Sequence, residues 1–108
     1  MIIAVAAEGR EVSDAVDQRF GRAPYFVIHD TVTNAYETVE NGTNVQAAHG
    51  AGTGAAQEIT SRHVNVVVAG NMGPKAEAVL EASGVKMITW ADGTVADAIE
   101  LAKSQVQE

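Results

Sequence analysis

Three glycine-bearing segments of this 108-residue chain hold residues that suit the binding of an anion. They are QRFGRAPYF at 18–26, NVQAAHGAGTGAA at 44–56 and AGNMGPKA at 69–76. Glycine lets a bulky ligand approach the backbone closely, and free N–H groups at the start of a helix attract negative charge. The chemistry that these segments predict is therefore noncovalent binding of an anion.

The whole chain has a net charge of −7, but its charges are unevenly distributed between these segments and the rest of the sequence. Three stretches contain neither Asp nor Glu: 18–29, 41–57 and 59–76. Their cations are Arg19, Arg22, Arg62 and Lys75. All 14 acidic residues lie elsewhere. We expect an acidic protein with one local site that accepts anions, and the acidic excess disfavours nucleic acid as a partner.

Three side chains in these segments carry donor groups for a metal or an anion. His49 can ligate a transition metal or donate to an anion, and Arg22 offers a planar pair of donors. Met72 carries a soft thioether of the kind that contacts metal–sulfur ligands. Each also has a structural interpretation, namely a solvated histidine, a surface ion pair and an apolar plug. The residue types alone leave both interpretations open.

Composition and spacing exclude several kinds of catalytic or metal site. The chain has no cysteine, which excludes disulfides, thiolate zinc sites and iron–sulfur clusters held by cysteine. His29, His49 and His63 share no short spacing, so a zinc triad is not indicated, and His29 and His63 are given structural roles. The GAGTG stretch matches neither a Walker loop nor a dinucleotide fingerprint. No serine has a nucleophile-elbow context, and we predict a protein that is not an enzyme.

Hydrophobic patterning and turn residues predict five strands and three helices. The strands are 2–7, 25–30, 35–40, 64–69 and 85–89. The helices run from Thr53 or a nearby glycine to about Arg62, from Pro74 to just before Gly84, and onward from an N-cap at Thr94. Their inward faces are Ala55, Ala56 and Ile59; Ala76, Val79 and Leu80; and Val95, Ala98, Ile99 and Ala102. Residues 8–24 are expected to form a loop with one helical turn near Val12–Val16.

The order of these elements predicts an α/β fold. Strands and helices alternate late in the chain, which is typical of parallel strands covered on both faces, while TVTN at 31–34 predicts an antiparallel hairpin. Ligands bind beyond the carboxyl ends of parallel strands in such sheets, where the three glycine-bearing segments can meet. No linker or repeat divides the chain, so residues 1–108 are expected to form a single domain.

The amino-terminal sequence MIIAVAAEGR has no basic region before its apolar stretch, so it predicts a strand rather than a signal peptide. No apolar run approaches the ~18 residues of a membrane span. We therefore expect a cytoplasmic protein with no membrane partner.

The chain resembles the dinitrogenase iron–molybdenum cofactor-binding family along nearly its whole length. The resemblance rests on IIAVAAEG, RFGRAPYFVIHD, AAHGAGTGAA, VNVVVAGNMGPKA and DGTVADAIE, in this order and spacing. It implies a ribonuclease H-like, three-layer α/β/α fold with a five-stranded mixed sheet. It also implies a binding or carrier role for metal–sulfur cofactors or their precursors during nitrogenase cofactor assembly.

The chain is similar to the stand-alone, orange-protein-like branch of this family, which is expected in anaerobes and binds a molybdenum–copper sulfide cluster noncovalently. Such a cluster brings its own sulfides and negative charge, which fits a chain without cysteine. The cargo implied is thus a molybdenum- or iron-containing sulfide cluster, either iron–molybdenum cofactor-like or molybdenum–copper. Cofactor-assembly proteins or an ATPase are the implied partners.

The resemblance implies that these loops form the binding site, and we predict a role for each candidate residue in them. Arg22 and Arg19 neutralise charge, and His49 donates to the cluster or ligates its metal. Backbone donors come from Gly50, Gly52 and Thr53, and the opposite wall from Met72 and Gly73.

Three other functions stay open on the sequence alone. The first is a sensor of a small anionic metabolite or nucleotide that uses the same loops. The second is a hydrolase or nuclease, against which the missing carboxylate set argues. The third is a pure interaction module, which an exposed apolar patch or a constitutive dimer would indicate.

Overall fold

The protein folds into a five-stranded mixed sheet with helices on both faces. The computed structural model describes residues 1–41 and 51–106, without the side chains of residues 51–53. The strands are β1 (Ile2–Ala7), β2 (Tyr25–Asp30), β3 (Ala35–Glu40), β4 (Val66–Ala69) and β5 (Lys86–Thr89). The helices are α1 (Ala51–Ser61), α2 (Pro74–Ala82) and α3 (Val95–Gln105).

The strand order in the sheet is β3-β2-β1-β4-β5. β1 pairs antiparallel with β2 and parallel with β4, so the central strand joins the two kinds of pairing. The β2–β3 hairpin is antiparallel, and its turn ends at Asn34, which has a φ of 62°. Asparagine tolerates this left-handed conformation better than most residues. The mixed sheet and the hairpin predicted from the sequence are confirmed.

Alternate residues of each central strand enter two separate hydrophobic cores. Ala4 and Ala6 of β1 face α1 and α2, whereas Ile3 and Val5 face α3. All four are fully buried, because β1 is covered on both faces. A shift of one residue in the pairing of β1 would exchange small for large side chains in both cores, so packing fixes the register.

The inward faces predicted for the helices are confirmed. The fully or almost fully buried helical side chains are Ala55, Ala56, Ile59, Ala76, Leu80, Val95, Ala98, Ile99 and Ala102. Val79 is partly buried against the same core as Leu80. Most of these residues are small, so the helices pack closely against the sheet.

Several predicted bounds differ from the structure by one or two residues, among them the start of β5 at Lys86 rather than Val85. β4 begins at Val66, two residues later than expected, because Asn65 pairs through its backbone N–H and its side chain with Ile2. α1 begins at Ala51, two residues before Thr53 and next to the nearby glycines that the sequence also allowed as its start, and it ends at Ser61, one residue before Arg62. The single turn predicted near Val12–Val16 lies at Glu11–Asp14, and Ala15 and Val16 form extended bridges instead.

Local signals at the helix ends are confirmed. Pro74 occupies the first turn of α2, and Gly84 follows that helix with a φ of 76°, a conformation that glycine adopts without strain. Thr94 caps α3 in a capping box: its hydroxyl accepts from the Asp97 N–H at 3.2 Å, and the Asp97 carboxylate accepts from the Thr94 N–H at 3.1 Å. None of the helices described is long and apolar enough to cross a membrane.

Replacing Thr94 with alanine removes the hydroxyl half of this box and leaves the Asp97 N–H without its partner. We expect Thr94→Ala to lower the free energy of unfolding by about 1 kcal/mol, measured by urea denaturation. Ser104→Ala is the control, because the exposed Ser104 hydroxyl only supplements a helical carbonyl. Equal losses in the two variants would contradict the capping role.

Candidate functional site

Several loops leave the sheet at one edge. The carboxyl ends of β1, β4 and β5 lie there because these strands are parallel, and the amino end of β2 lies there because it is antiparallel to β1. The loop after β1 covers residues 8–24, and a short loop at 70–73 joins β4 to α2. This edge is the location that the sequence predicts for the site.

Backbone hydrogen bonds join the loop after β1 to the loop after β4. The Phe20 N–H donates to the Asn71 carbonyl at 2.9 Å, and the Gly70 N–H donates to the Asp17 carbonyl at 3.1 Å. Arg19 and Asn71 form an isolated parallel bridge between the same two segments. The segment that carries Arg19 therefore has a fixed position beside the start of α2.

Gly70 allows this close approach. A Cβ atom at this position would lie 2.7 Å from the Cα of Gln18 and 2.8 Å from the Gln18 carbonyl oxygen. Both distances are far below van der Waals contact, and backbone atoms cannot move aside as the end of a flexible side chain can. The requirement for glycine at position 70 is thus set by the other loop.

The two predicted arginines have different environments. The Arg19 side chain is 67% exposed, and its Nε lies 3.7 Å from Oδ1 of the buried Asp17. The same oxygen accepts from the Arg19 backbone N–H at 2.8 Å, which shapes the turn. Arg22 is half-buried in the same loop. Most of the Arg19 guanidinium thus remains accessible to a ligand from solvent.

The start of α2 forms the other side of this edge. Gly73 has a φ of 83°, no side chain caps the helix, and a Cβ at Gly73 would meet no atom within 4 Å. The N–H of Gly73 donates to the Asn71 side chain at 3.2 Å. Pro74 has no N–H, and the Glu77 N–H donates to the Gly73 carbonyl at 3.0 Å, so the Lys75 and Ala76 N–H groups are the ones that can favour an anion at this helix start. The exposed Lys75 lies in this turn.

Met72 differs from the other predicted wall residue. Its side chain is only 4% exposed and belongs to the core beneath α1 and α2. The structural interpretation, an apolar plug, therefore describes its side chain. Contact between Met72 and a cluster stays a prediction.

The remaining predicted site residues precede or begin α1. His49 and Gly50 lie outside the described residues. Gly52 and Thr53 lie within the first turn of α1, and their side chains are likewise not described. The ligand roles of these four residues stay predictions.

The other two histidines do not lie at this site. His29 is fully buried, its Nδ1 lies 3.1 Å from the Ala35 carbonyl, and its ring stacks on Tyr36 with centroids 4.2 Å apart. This confirms a structural role in the hairpin. His63 is exposed just after α1 with a φ of 58°. Within the described parts of the chain, no group of three or more His, Asp or Glu residues could hold a metal ion.

Sequence reasoning missed Asn41, which is 2% exposed at the end of β3. Its side-chain amide donates to the Gly21 carbonyl at 3.1 Å and to the Ala23 carbonyl at 2.8 Å. Its own N–H donates to the Pro24 carbonyl at 2.9 Å. The only signal in the sequence was an asparagine directly after a strand, which is also typical of an ordinary turn.

A cavity of about 370 Å³ lies at the opposite edge of the sheet. Its lining residues are Ile2, Ile28, Asp30, Thr33, Ala35, Tyr36, Glu37 and Arg62. Arg62 pairs there with Glu37 at 3.2 Å and with Glu58 at 3.3 Å. Arg62, one of the four cations in the acid-free stretches, is therefore remote from the predicted site. The stretches without acidic residues do not all lie at that site.

Comparisons with known proteins agree with this architecture. The family model described as dinitrogenase iron-molybdenum cofactor matches residues 1–105. The apo form of the orange protein from Desulfovibrio gigas is similar in structure, with 40% identity and a TM-score of 0.91, over 96% of this chain and 88% of that one. No curated protein sequence matches.

Two other solved structures are also similar. A putative NifB protein from Thermotoga, assigned to the DUF35 family, is 38% identical, with a TM-score of 0.81 over 96% of this chain and 87% of that one. The protein PH0822 is 24% identical, with a TM-score of 0.77 over 97% of this chain and 92% of that one, and it supports the fold alone.

The close contact at Gly70 predicts a large effect of a single methyl group. We expect Gly70→Ala to lower the free energy of unfolding by about 3 kcal/mol, because the two loops must separate. Gly84→Ala is the control: it has the same added methyl group and open space around it, and only its positive φ costs about 1 kcal/mol. Urea denaturation measures both, and a smaller loss at Gly70 than at Gly84 would contradict the joining of the loops.

Proposed function

Because the chain belongs to the dinitrogenase iron–molybdenum cofactor family, we propose that it carries a metal–sulfur cofactor or its precursor without catalysing a reaction. The cargo binds at the edge of the sheet where the loops after β1 and β4 are joined. In this proposal the protein supplies a charged, preorganised surface, and the cluster supplies its own sulfide ligands.

The observation that carries the proposal is the joining of the Arg19–Arg22 segment to the amino-terminal turn of α2. The Phe20 to Asn71 hydrogen bond holds these two segments together before any ligand arrives. An anionic cluster would thus meet guanidinium groups on one side and the Lys75 and Ala76 N–H groups at the start of α2 on the other. Preorganisation of this kind lowers the ordering cost of binding.

The cargo that we propose first is a molybdenum–copper sulfide cluster. Its support is the resemblance to the orange-protein branch, together with the 40% identity and the matching fold of the apo orange protein. An iron-containing precursor of the nitrogenase type is the second choice, supported by the similarity to a putative NifB protein. Cofactor-assembly proteins are the proposed partners in either case.

Each predicted residue has a role in this proposal. Arg22 and Arg19 neutralise the charge of the cluster, and His49 donates to it or ligates a metal. Backbone N–H groups of Gly50, Gly52 and Thr53 face it. Gly73 and the backbone of Met72 form the opposite wall, since the thioether of Met72 is buried in the core.

The ribonuclease H-like label is part of the same proposal. Its support is the strand order β3-β2-β1-β4-β5, with only β2 antiparallel to the other four strands, and helices on both faces of the sheet. In this assignment the position of catalytic carboxylates in a nuclease corresponds to apolar residues of β1.

Anaerobic titration of the apo-protein with copper(I) and tetrathiomolybdate tests the cargo. We expect new charge-transfer absorption in the visible range that saturates at a fixed stoichiometry. We also expect amide NMR shifts concentrated in residues 19–26, 44–56 and 70–75, because these segments contain the proposed contacts.

Copper(I) alone and tetrathiomolybdate alone are the controls for this titration. Shifts confined to the Arg62 cavity would contradict the location. Failure of both this cluster and an iron–sulfur precursor, together with thermal stabilisation by phosphate-containing metabolites, would favour the anion sensor instead.

Removing a cation and a histidine from the site tests the individual residues. We expect the double variant Arg22→Ala, His49→Ala to fold and to bind the cluster at least about tenfold more weakly, because charge-assisted contacts are lost. The control Lys86→Ala, His63→Ala also removes one cation and one histidine, but at the opposite edge of the sheet. Normal cluster binding by a folded Arg22→Ala, His49→Ala variant would overturn this assignment.

A further inference from the structure

We infer that Asn41 is a positioning residue for the cofactor site: its amide holds the two carbonyls that flank Arg22 and so sets the surface that this loop offers to an anion. The inference rests on the proposed function. Asn41 lies at the end of β3, outside every segment assigned to contact the cluster, and it acts through the 20–24 segment.

The side-chain amide of Asn41 is positioned to donate to two backbone carbonyls. The Asn41 Nδ2 group lies 3.1 Å from the Gly21 carbonyl oxygen and 2.8 Å from the Ala23 carbonyl oxygen. A carboxamide has two N–H donors on one nitrogen, so a single side chain can satisfy both carbonyls. Because Asn41 is 2% exposed, water cannot easily replace it as the donor.

The electrostatic consequence concerns the direction of the loop dipoles. A carbonyl oxygen is the negative end of a peptide dipole, and two such oxygens beside Arg22 would repel an anion. Because both oxygens accept hydrogen bonds from the buried Asn41 amide, they point into the protein and away from the ligand surface. The same contacts favour the exposure of positive groups on the outer side of the loop.

Contacts on both sides of Arg22 along the chain hold its loop in place. Phe20 is fully buried, with its ring 5.2 Å from that of Phe26, and its N–H donates to Asn71. On the other side, the Pro24 carbonyl accepts the Asn41 N–H. Asn41 thus donates three hydrogen bonds to residues 21–24. Loss of its side-chain amide would therefore remove two of these three hydrogen bonds.

The first experiment uses the apo-protein and needs no cluster. In Asn41→Ala, we expect faster amide exchange and lower heteronuclear NOE values for residues 19–24, with the amides of β1 and β4 unchanged. Ile99→Ala is the control for lost stability, because Ile99 is buried against the opposite face of the sheet. A 19–24 segment as ordered in Asn41→Ala as in the parent protein overturns the inference, whatever the cargo.

The second experiment measures release of the copper–tetrathiomolybdate cluster by stopped-flow absorption. We expect Asn41→Ala to release it about tenfold faster, and Ile99→Ala to release it at the parent rate. If Asn41 acts through Arg22, the effect of Asn41→Ala shrinks in an Arg22→Ala background. A purely structural role would instead give additive effects.

The outcomes separate the two proposals. If the parent protein binds neither this cluster nor an iron–sulfur precursor, the proposed function fails and the inference fails with it. If the parent protein binds but Asn41→Ala releases the cluster at the parent rate, only the inference fails. Asn41→Asp adds a further check, since its carboxylate would face two carbonyls and should accelerate release more than alanine does.

Discussion

The parallel pairing of β1 with β4 forces two loops to leave the sheet side by side, and the rest of the candidate site depends on how these loops satisfy each other's backbone groups. Gly70 and Gln18 approach so closely that a Cβ on Gly70 would overlap the backbone of Gln18. Hydrogen bonds between residues 17–20 and 70–71 then complete the contact. An unpaired backbone group in such a place would cost about as much as a lost hydrogen bond, so the loops are effectively one unit.

This joined unit explains how loop residues can have a defined geometry. Loops ordinarily vary in conformation, and a ligand must then supply the free energy of ordering them. Here the core lies directly beneath the loops, through the buried rings of Phe20 and Phe26 and the buried side chain of Met72. The accessible groups, of which Arg19 is the most exposed arginine, therefore lie on a rigid base.

The distribution of charge gives a second constraint on the site. The chain is strongly acidic, yet residues 17–24 and 70–76, which include the joined parts of the two loops, contain Arg19, Arg22 and Lys75 and only one acid, the buried Asp17. Arg62 is instead neutralised by Glu37 and Glu58 at the other edge of the sheet. A run of sequence without acids is thus a guide to an anion site only where the fold brings its parts together.

The sequence by itself determined the elements and their faces. Strand patterns such as IIAVAA and the helix faces around Ile59, Leu80 and Ile99 follow from periodicity, because local geometry fixes which side chains share a side. Gly84 and Thr94 mark helix ends for equally local reasons. The glycine-bearing loops were also visible in the sequence, as was the edge of the sheet where two of them meet.

Only the tertiary structure decided which residues of those loops meet. The role of Asn41 depends on carbonyls 18 and 20 residues earlier, and the requirement for Gly70 depends on the backbone of Gln18. Tertiary packing likewise buries Met72 and places Arg62 at the other edge of the sheet. Residue type and spacing do not predict contacts between residues so far apart in sequence, because these contacts form only when the sheet brings separate loops to one edge.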